Sequence, residues 1–155
     1  MLHSMVCQRT MARRDPHPKM GLYALMHDAH ESVTGDVPST WKTEDIRNRQ
    51  FALDVLMYQE FRVPFPTVDE EDKIRDVDCS ALYAEASVIG PPGIMEWFGV
   101  PADPLTIADV EFVMAWYPNP SFTDGINSPG VRDFIDAFKM LEADYRSYNR
   151  RRDNG

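Results

Sequence analysis

Residues 25–38 read Leu25-Met26-His27-Asp28-Ala29-His30-Glu31-Ser32-Val33-Thr34-Gly35-Asp36-Val37-Pro38. The stretch ends a helix whose apolar stripe is Leu22, Leu25 and Met26, and Gly35 and Pro38 break it. A His-Asp pair at the end of such a helix is odd as packing, because aspartate is expensive to bury unless it is paired or bound to a metal. Imidazole and carboxylate together suit a divalent first-row metal. Residues four apart share a helical face, which puts Glu31 on the face of His27 with Asp28 at its border.

On both sides the pattern is helical almost throughout. Leu2 to Ala12 reads as a first helix, ended by the basic, proline-containing run from Arg13 to Pro18, and Lys19 to Ser32 reads as a second. Thr43 is an N-cap for a third, with Glu44 and Asp45 suiting the helix dipole. Ile46, Leu53, Leu56, Met57 and Phe61 keep its period until Pro64 and Pro66 end it. Thr67-Val68-Asp69-Glu70 forms a capping box that opens a fourth helix to about Val88, with Ile74, Val77, Ala81, Leu82 and Ala84 facing the core. Gly90 to Asn127 is an irregular excursion with one short helix at Ile107 to Trp116, packed by Trp97, Phe98, Trp116 and Tyr117. Ser128-Pro129 opens a last helix to about Tyr148, whose buried stripe is Val131, Phe134, Ile135, Phe138 and Leu141. The expectation is a single all-α domain over residues 1–149, a compact bundle with a Pro- and aromatic-rich insertion before its last helix. Residues 150–155 are expected to be a basic, disordered tail.

The composition excludes several classes of function. The chain has 155 residues, 43% hydrophobic and 26% charged, a globular balance. Lys and Arg number 16 against 25 Asp and Glu, a formal charge of −9. That argues against a nucleic-acid polymer or an anionic membrane as partner. No apolar run reaches the roughly 18 residues of a membrane span, and no signal-peptide core is visible. Cys7 and Cys79 make no disulfide framework and suit a reducing compartment, read here as small core residues in a cytoplasmic protein.

The run His27-Asp28-Ala29-His30-Glu31, then Gly35-Asp36-Val37-Pro38, then Lys42, resembles the HD-domain phosphohydrolases. More narrowly it is similar to the branch of bacterial 5′-deoxynucleotidases and phage deoxynucleotide hydrolases, which read His-Asp-Ala-x-Glu, Gly-Asp-Ile-Pro and Lys. Val37 replaces the isoleucine. The family's last metal aspartate opens Asp-x-x-Ala-Leu-x-x-Glu-Ala, matched by Asp78-Cys79-Ser80-Ala81-Leu82-Tyr83-Ala84-Glu85-Ala86. This selects Asp78 over Asp76 and Asp72, which belong to a solvated face. The family's first ligand is a histidine in a His-Ser-Val-like context, matched by His3-Ser4-Met5-Val6; His17 competes but lies between two prolines. The resemblance covers residues 2–89. Relatives carry a further helix before the first histidine, whereas only Met1 and Leu2 precede His3.

The resemblance implies one divalent ion, among Co, Mn, Zn, Mg and Fe, held by His3, His27, Asp28 and Asp78. It implies Glu31 and Asp36 as the catalytic pair. Glu31 acts on the attacking water and Asp36 protonates the leaving oxygen, or the two roles are exchanged. Lys42 is the phosphate cation, and Trp41 beside it either covers the sugar or base or packs in the core. His30 stands outside the metal set, a residue for its surroundings. The implied activity removes the 5′-phosphate from deoxynucleoside monophosphates. One alternative is a phage-type, dATPase-like triphosphohydrolase acting on deoxynucleoside triphosphates. Another is a non-catalytic, metal-binding subunit. Relatives self-associate, so a homo-oligomer is expected, in the host cytoplasm if the protein is phage-encoded.

Overall fold

The computed structural model describes residues 2–90, 104–116 and 129–153, and every secondary-structure element among them is helical. The elements are α1 (Leu2–Arg14), α2 (Pro18–Met26), α3 (Glu31–Thr34), a 3-10 turn (Ser39–Trp41), α4 (Glu44–Glu60), α5 (Val68–Ile89), α6 (Pro104–Trp116) and α7 (Pro129–Asp153). The expected all-α bundle is what forms. Of the excursion, helix α6 lies within the described residues. Trp97, Phe98, Tyr117 and the Ser128 cap lie outside them, as does the side chain of Trp116.

Local signals explain most boundaries. Thr43 accepts from the Ile46 amide, and the Thr67 capping box closes in both directions through Glu70. His17 caps α2 by accepting from the Lys19 amide, with Pro18 as the first helical residue.

The core lies where α1, α2 and α5 meet, with α6 and α7 closing it. Val6, Cys7 and Met11 of α1 pack with Leu22, Tyr23 and Leu25 of α2 and with Val77, Ala81 and Ala84 of α5. Phe112 and Val113 come from α6, Leu141 and Tyr145 from α7. A Cβ at Gly21 would sit 2.9 Å from Leu141 Cδ2, so glycine is what lets α2 and α7 approach. Arg13 of α1 pairs with the buried Asp109 of α6, and Lys19 Nζ of α2 lies 2.5 Å from Glu70 Oε1 of α5. No helix among the described residues is long and apolar enough to cross a membrane.

Several expectations need correction. The second helix does not run to Ser32: α2 stops at Met26 and residues 27–30 form a turn. There the Ala29 and Glu31 amides bond the Met26 and Asp28 carbonyls, contacts between residues three apart that tighten the chain before α3 begins. The last helix continues to Asp153, so Arg150, Arg151 and Arg152 are exposed helical residues rather than a disordered tail. Leu82 is 46% exposed because it borders a cavity, and Ile135 sits off the buried face of α7. Leu56 is 61% exposed, because α4 turns inward Gln50, Asp54 and Tyr58 instead. Gln50 Nε2 donates to Thr34 Oγ1 at 3.2 Å, while Tyr58, Met57 and Phe61 pack α4 against the core. Trp41 is 75% exposed and packs in no core. Cys79 is exposed as well, since it follows Asp78 around the outer side of α5, whereas Cys7 is fully buried.

Candidate metal centre

Three separate segments bring the four expected ligands together. α1 supplies His3, the turn after α2 supplies His27 and Asp28, and α5 supplies Asp78. His3 Nε2 lies 2.9 Å from Asp78 Oδ1, and His27 Nε2 lies 2.9 Å from Asp28 Oδ2. The cross distances are 3.7 Å from His27 to Asp78 and 3.8 Å from His3 to Asp28. His17 is elsewhere, capping α2 with its ring 4.4 Å from that of Tyr148. Asp72 and Asp76 are exposed on the other side of α5, as the sequence implies.

The hydrogen bonds behind the imidazoles fix which nitrogen faces the carboxylates. His27 Nδ1 donates to the Ala24 carbonyl at 2.9 Å. In the neutral ring Nε2 therefore carries a lone pair. That atom is buried and has no hydrogen-bond partner among the described residues, since Asp28 Oδ2 is near it but poorly aligned. Behind His3, Glu85 Oε2 stands 3.2 Å from Nδ1 and orients the ring. A carboxylate or carbonyl behind a ligating imidazole is the usual support of a metal site. Two imidazole nitrogens and two carboxylates also form a donor set suited to a divalent first-row ion. The residues present fit such an ion.

Their electrostatics agree. Burial alone would lower His3, but Asp78, Cys7 and Glu85 outweigh it and push its pKa up to about 12. Burial would likewise lower His27, yet Asp28 and Asp78 raise it to about 10. Burial raises Asp78, but His27 and His3 more than reverse that and hold it well below the usual carboxylate range. The carboxylates thus demand positive charge on the two rings, from protons or from a cation.

Beside the cluster opens a cavity of about 810 Å³. His3, Asp28 and Asp78 reach its wall, and so do Glu31, Asp36 and Lys42. Lys42 Nζ is 3.8 Å from Glu31 Oε1. The Glu31 carboxyl is pushed up, first by burial and then by Asp28 and Asp36. Gly35, at φ 76° and ψ 158°, carries the chain from α3 to Asp36 in a backbone region open essentially to glycine alone. The expectation that His27 and Glu31 share one helical face is not met, because the turn at residues 27–30 separates them. Glu31 reaches the cavity from the first turn of α3 instead.

Three residues escaped the sequence reading. Glu85 lies two turns beyond Asp78 on α5 and was visible only as a motif letter. Cys7 Sγ sits 3.5 Å from His3 Nε2, with its thiol pointed at the Val77 carbonyl 4.0 Å away, so it is both core and neighbour of the cluster. Asp54 accepts from His30 Nδ1 at 2.9 Å, and its only signal was the spacing of Gln50, Asp54 and Tyr58 along one face of α4. No family model matches the chain, and comparison with curated proteins finds no match.

Proposed function

We propose that this protein is a divalent-metal-dependent phosphohydrolase that removes the 5′-phosphate from deoxynucleoside monophosphates. One observation carries the reading: His3, His27, Asp28 and Asp78, distant in sequence, meet within 2.9 to 3.8 Å beside a cavity lined by Glu31, Asp36 and Lys42. His3, His27, Asp28 and Asp78 would hold the ion. When bound, it supplies a lowered water pKa and draws charge from the phosphoryl oxygens.

The chain's own groups do the rest. Glu31, with its raised carboxyl, accepts the proton of the attacking water. Asp36 donates a proton to the departing sugar oxygen. Lys42 meets the phosphate and, being next to Glu31, also sets the charge of that carboxylate. Trp41, the chain neighbour of Lys42, is exposed and is the aromatic we propose to cover a sugar or base.

Lys42 is the sole Lys or Arg among the described lining residues. A triphosphate would bring more negative charge than one lysine offsets, which favours the monophosphate over the triphosphohydrolase reading. The test is product analysis on a panel of deoxynucleoside mono- and triphosphates with Mn- or Co-loaded protein. Orthophosphate from monophosphates supports the proposal. Inorganic triphosphate from triphosphates moves it to the alternative, and no product from either class leaves a non-catalytic metal-binding subunit.

A further inference from the structure

We infer that Cys7 is a ligand of the metal centre, its thiolate joining the proposed donors around one ion and making the site prefer Zn(II) or Co(II) to Mn(II) or Mg(II). The inference rests on the ion that the proposed function places there, and it names which ion the centre takes. Cys7 stands one helical turn after His3 on α1, and residues four apart share a face, so α1 presents imidazole and thiol together. One ligand atom each from His3, Cys7, His27 and Asp78 lies within 4.8 Å of the others. The cysteine is 0% exposed, so its sulfur sees this cluster and the core rather than solvent.

A core cysteine ordinarily behaves as a small apolar side chain among apolar neighbours. Here the sulfur stands 3.5 Å from His3 Nε2, the nitrogen aimed at the cluster, while the Val77 carbonyl is 4.0 Å away. Zinc binds a histidine nitrogen at about 2.0–2.1 Å and a thiolate sulfur at about 2.3 Å. At the tetrahedral angle those bonds set the two ligand atoms about 3.5 Å apart. The observed separation is therefore the one a shared ion requires. His27 Nε2, buried without a hydrogen-bond partner among the described residues, offers a lone pair to the same ion.

Ligand softness then selects the metal. Carboxylates and imidazoles alone accept Mn or Mg, whereas a thiolate favours Zn over those harder ions. The thiolate is the binding form, so on ligation the S–H proton passes to water and the sulfur lone pair forms the metal bond. No electron changes owner, and neither sulfur nor metal changes oxidation state. Cys79 takes no part, since it is exposed on the outer side of α5.

The test loads the full chain with Co(II), whose thiolate bonds give an intense near-ultraviolet charge-transfer band that imidazole and carboxylate bonds lack. Wild type, Cys7→Ala, Cys7→Ser and Cys79→Ser are compared, with circular dichroism checking each fold. Wild type and Cys79→Ser should show the band, and both Cys7 variants should lose it while still binding Co(II). Chelator competition should show Zn weakened more than about 100-fold in Cys7→Ala, beyond the loss of an outer support, with Mn nearly unchanged. If the Cys7 variants do not fold, wild type beside Cys79→Ser decides alone. Bound Co(II) without the band in wild type, or a band lost in Cys79→Ser, overturns Cys7 as a ligand and leaves the metal centre. A band in both, with no phosphate released from deoxynucleoside monophosphates, supports Cys7 and overturns the proposed activity. No Co(II) uptake overturns both.

Discussion

Glu85 Oε2 lies 3.2 Å from His3 Nδ1, so a carboxylate on α5 aims an imidazole of α1 at Asp78, a residue of its own helix. The ring is thus held from two sides by one helix, and its Nε2 has no freedom to leave the cluster. Glu85→Ala should lower metal affinity by roughly 10- to 100-fold, the usual effect of losing such a support. Glu85→Gln, whose carbonyl still accepts from Nδ1, should lose much less. Competition titration against a coloured chelator measures both, and equal affinities in wild type and Glu85→Ala would contradict the assigned role.

Asp78 and Asp76 form a matched pair on α5. Asp78→Asn removes a charged ligand and should abolish most of the rise in thermal midpoint that saturating metal gives the wild type. Asp76→Asn, about 200° away around the helix, should keep that rise. Thermal scans with and without Mn decide it, and the reverse pattern would mean that the register of α5 toward the metal is wrong.

The metal-free protein should show a defined pH profile. Burial lowers His3 and His27, but the surrounding carboxylates carry them to about 12 and about 10, above the ordinary 6.5. A raised folded value stabilises fully below 6.5, and that stabilisation fades as pH rises toward the folded values. Asp28 and Asp78 are held low, so their contribution is complete above 3.8 and fades in acid. In chelator the thermal midpoint should therefore fall as pH climbs from about 6.5 to about 8.5. With saturating Mn it should fall less, because the ion displaces those protons and binds more tightly as pH rises. Parallel profiles in the two conditions would show that the protons and the ion do not compete.

Gly35 has φ 76° with no atom within 4 Å of a Cβ built on it, so Gly35→Ala meets no clash and tests backbone strain alone. Holding alanine in that region costs about 1–3 kcal/mol, which the short α3 can relieve by shifting Asp36. Turnover should drop while metal affinity stays close to wild type, since no proposed ligand of the ion moves. Initial rates set beside the chelator titration check this, and unchanged turnover would remove Asp36 from the chemistry.

The sequence was most readable where local chemistry decides the structure. Thr43 and Thr67 cap helices with their own side chains, and Pro64 and Pro66 stop one, so those boundaries needed no tertiary information. The break after Met26 was hidden, because residues 27–30 contain neither Gly nor Pro. That turn goes with long-range contacts such as His30 to Asp54. Periodicity marks an apolar face without telling what it faces. Leu82 lies in an apolar stripe yet borders a cavity, and α4 buries Gln50 and Tyr58 while leaving Leu56 in solvent. That His3, His27, Asp28 and Asp78 come together was legible through the motifs they resemble. Glu85 and Asp54 were not, because their roles exist only once separate helices meet.

The central claim is that His3, His27, Asp28 and Asp78 together hold a catalytic divalent ion. Anomalous diffraction from crystals grown with Mn tests it most directly. The account predicts a strong peak bonded to the Nε2 atoms of His3 and His27 and to carboxylate oxygens of Asp28 and Asp78. Crystals with Mn peaks only elsewhere, or with the four side chains paired as they are and no peak among them, would contradict it.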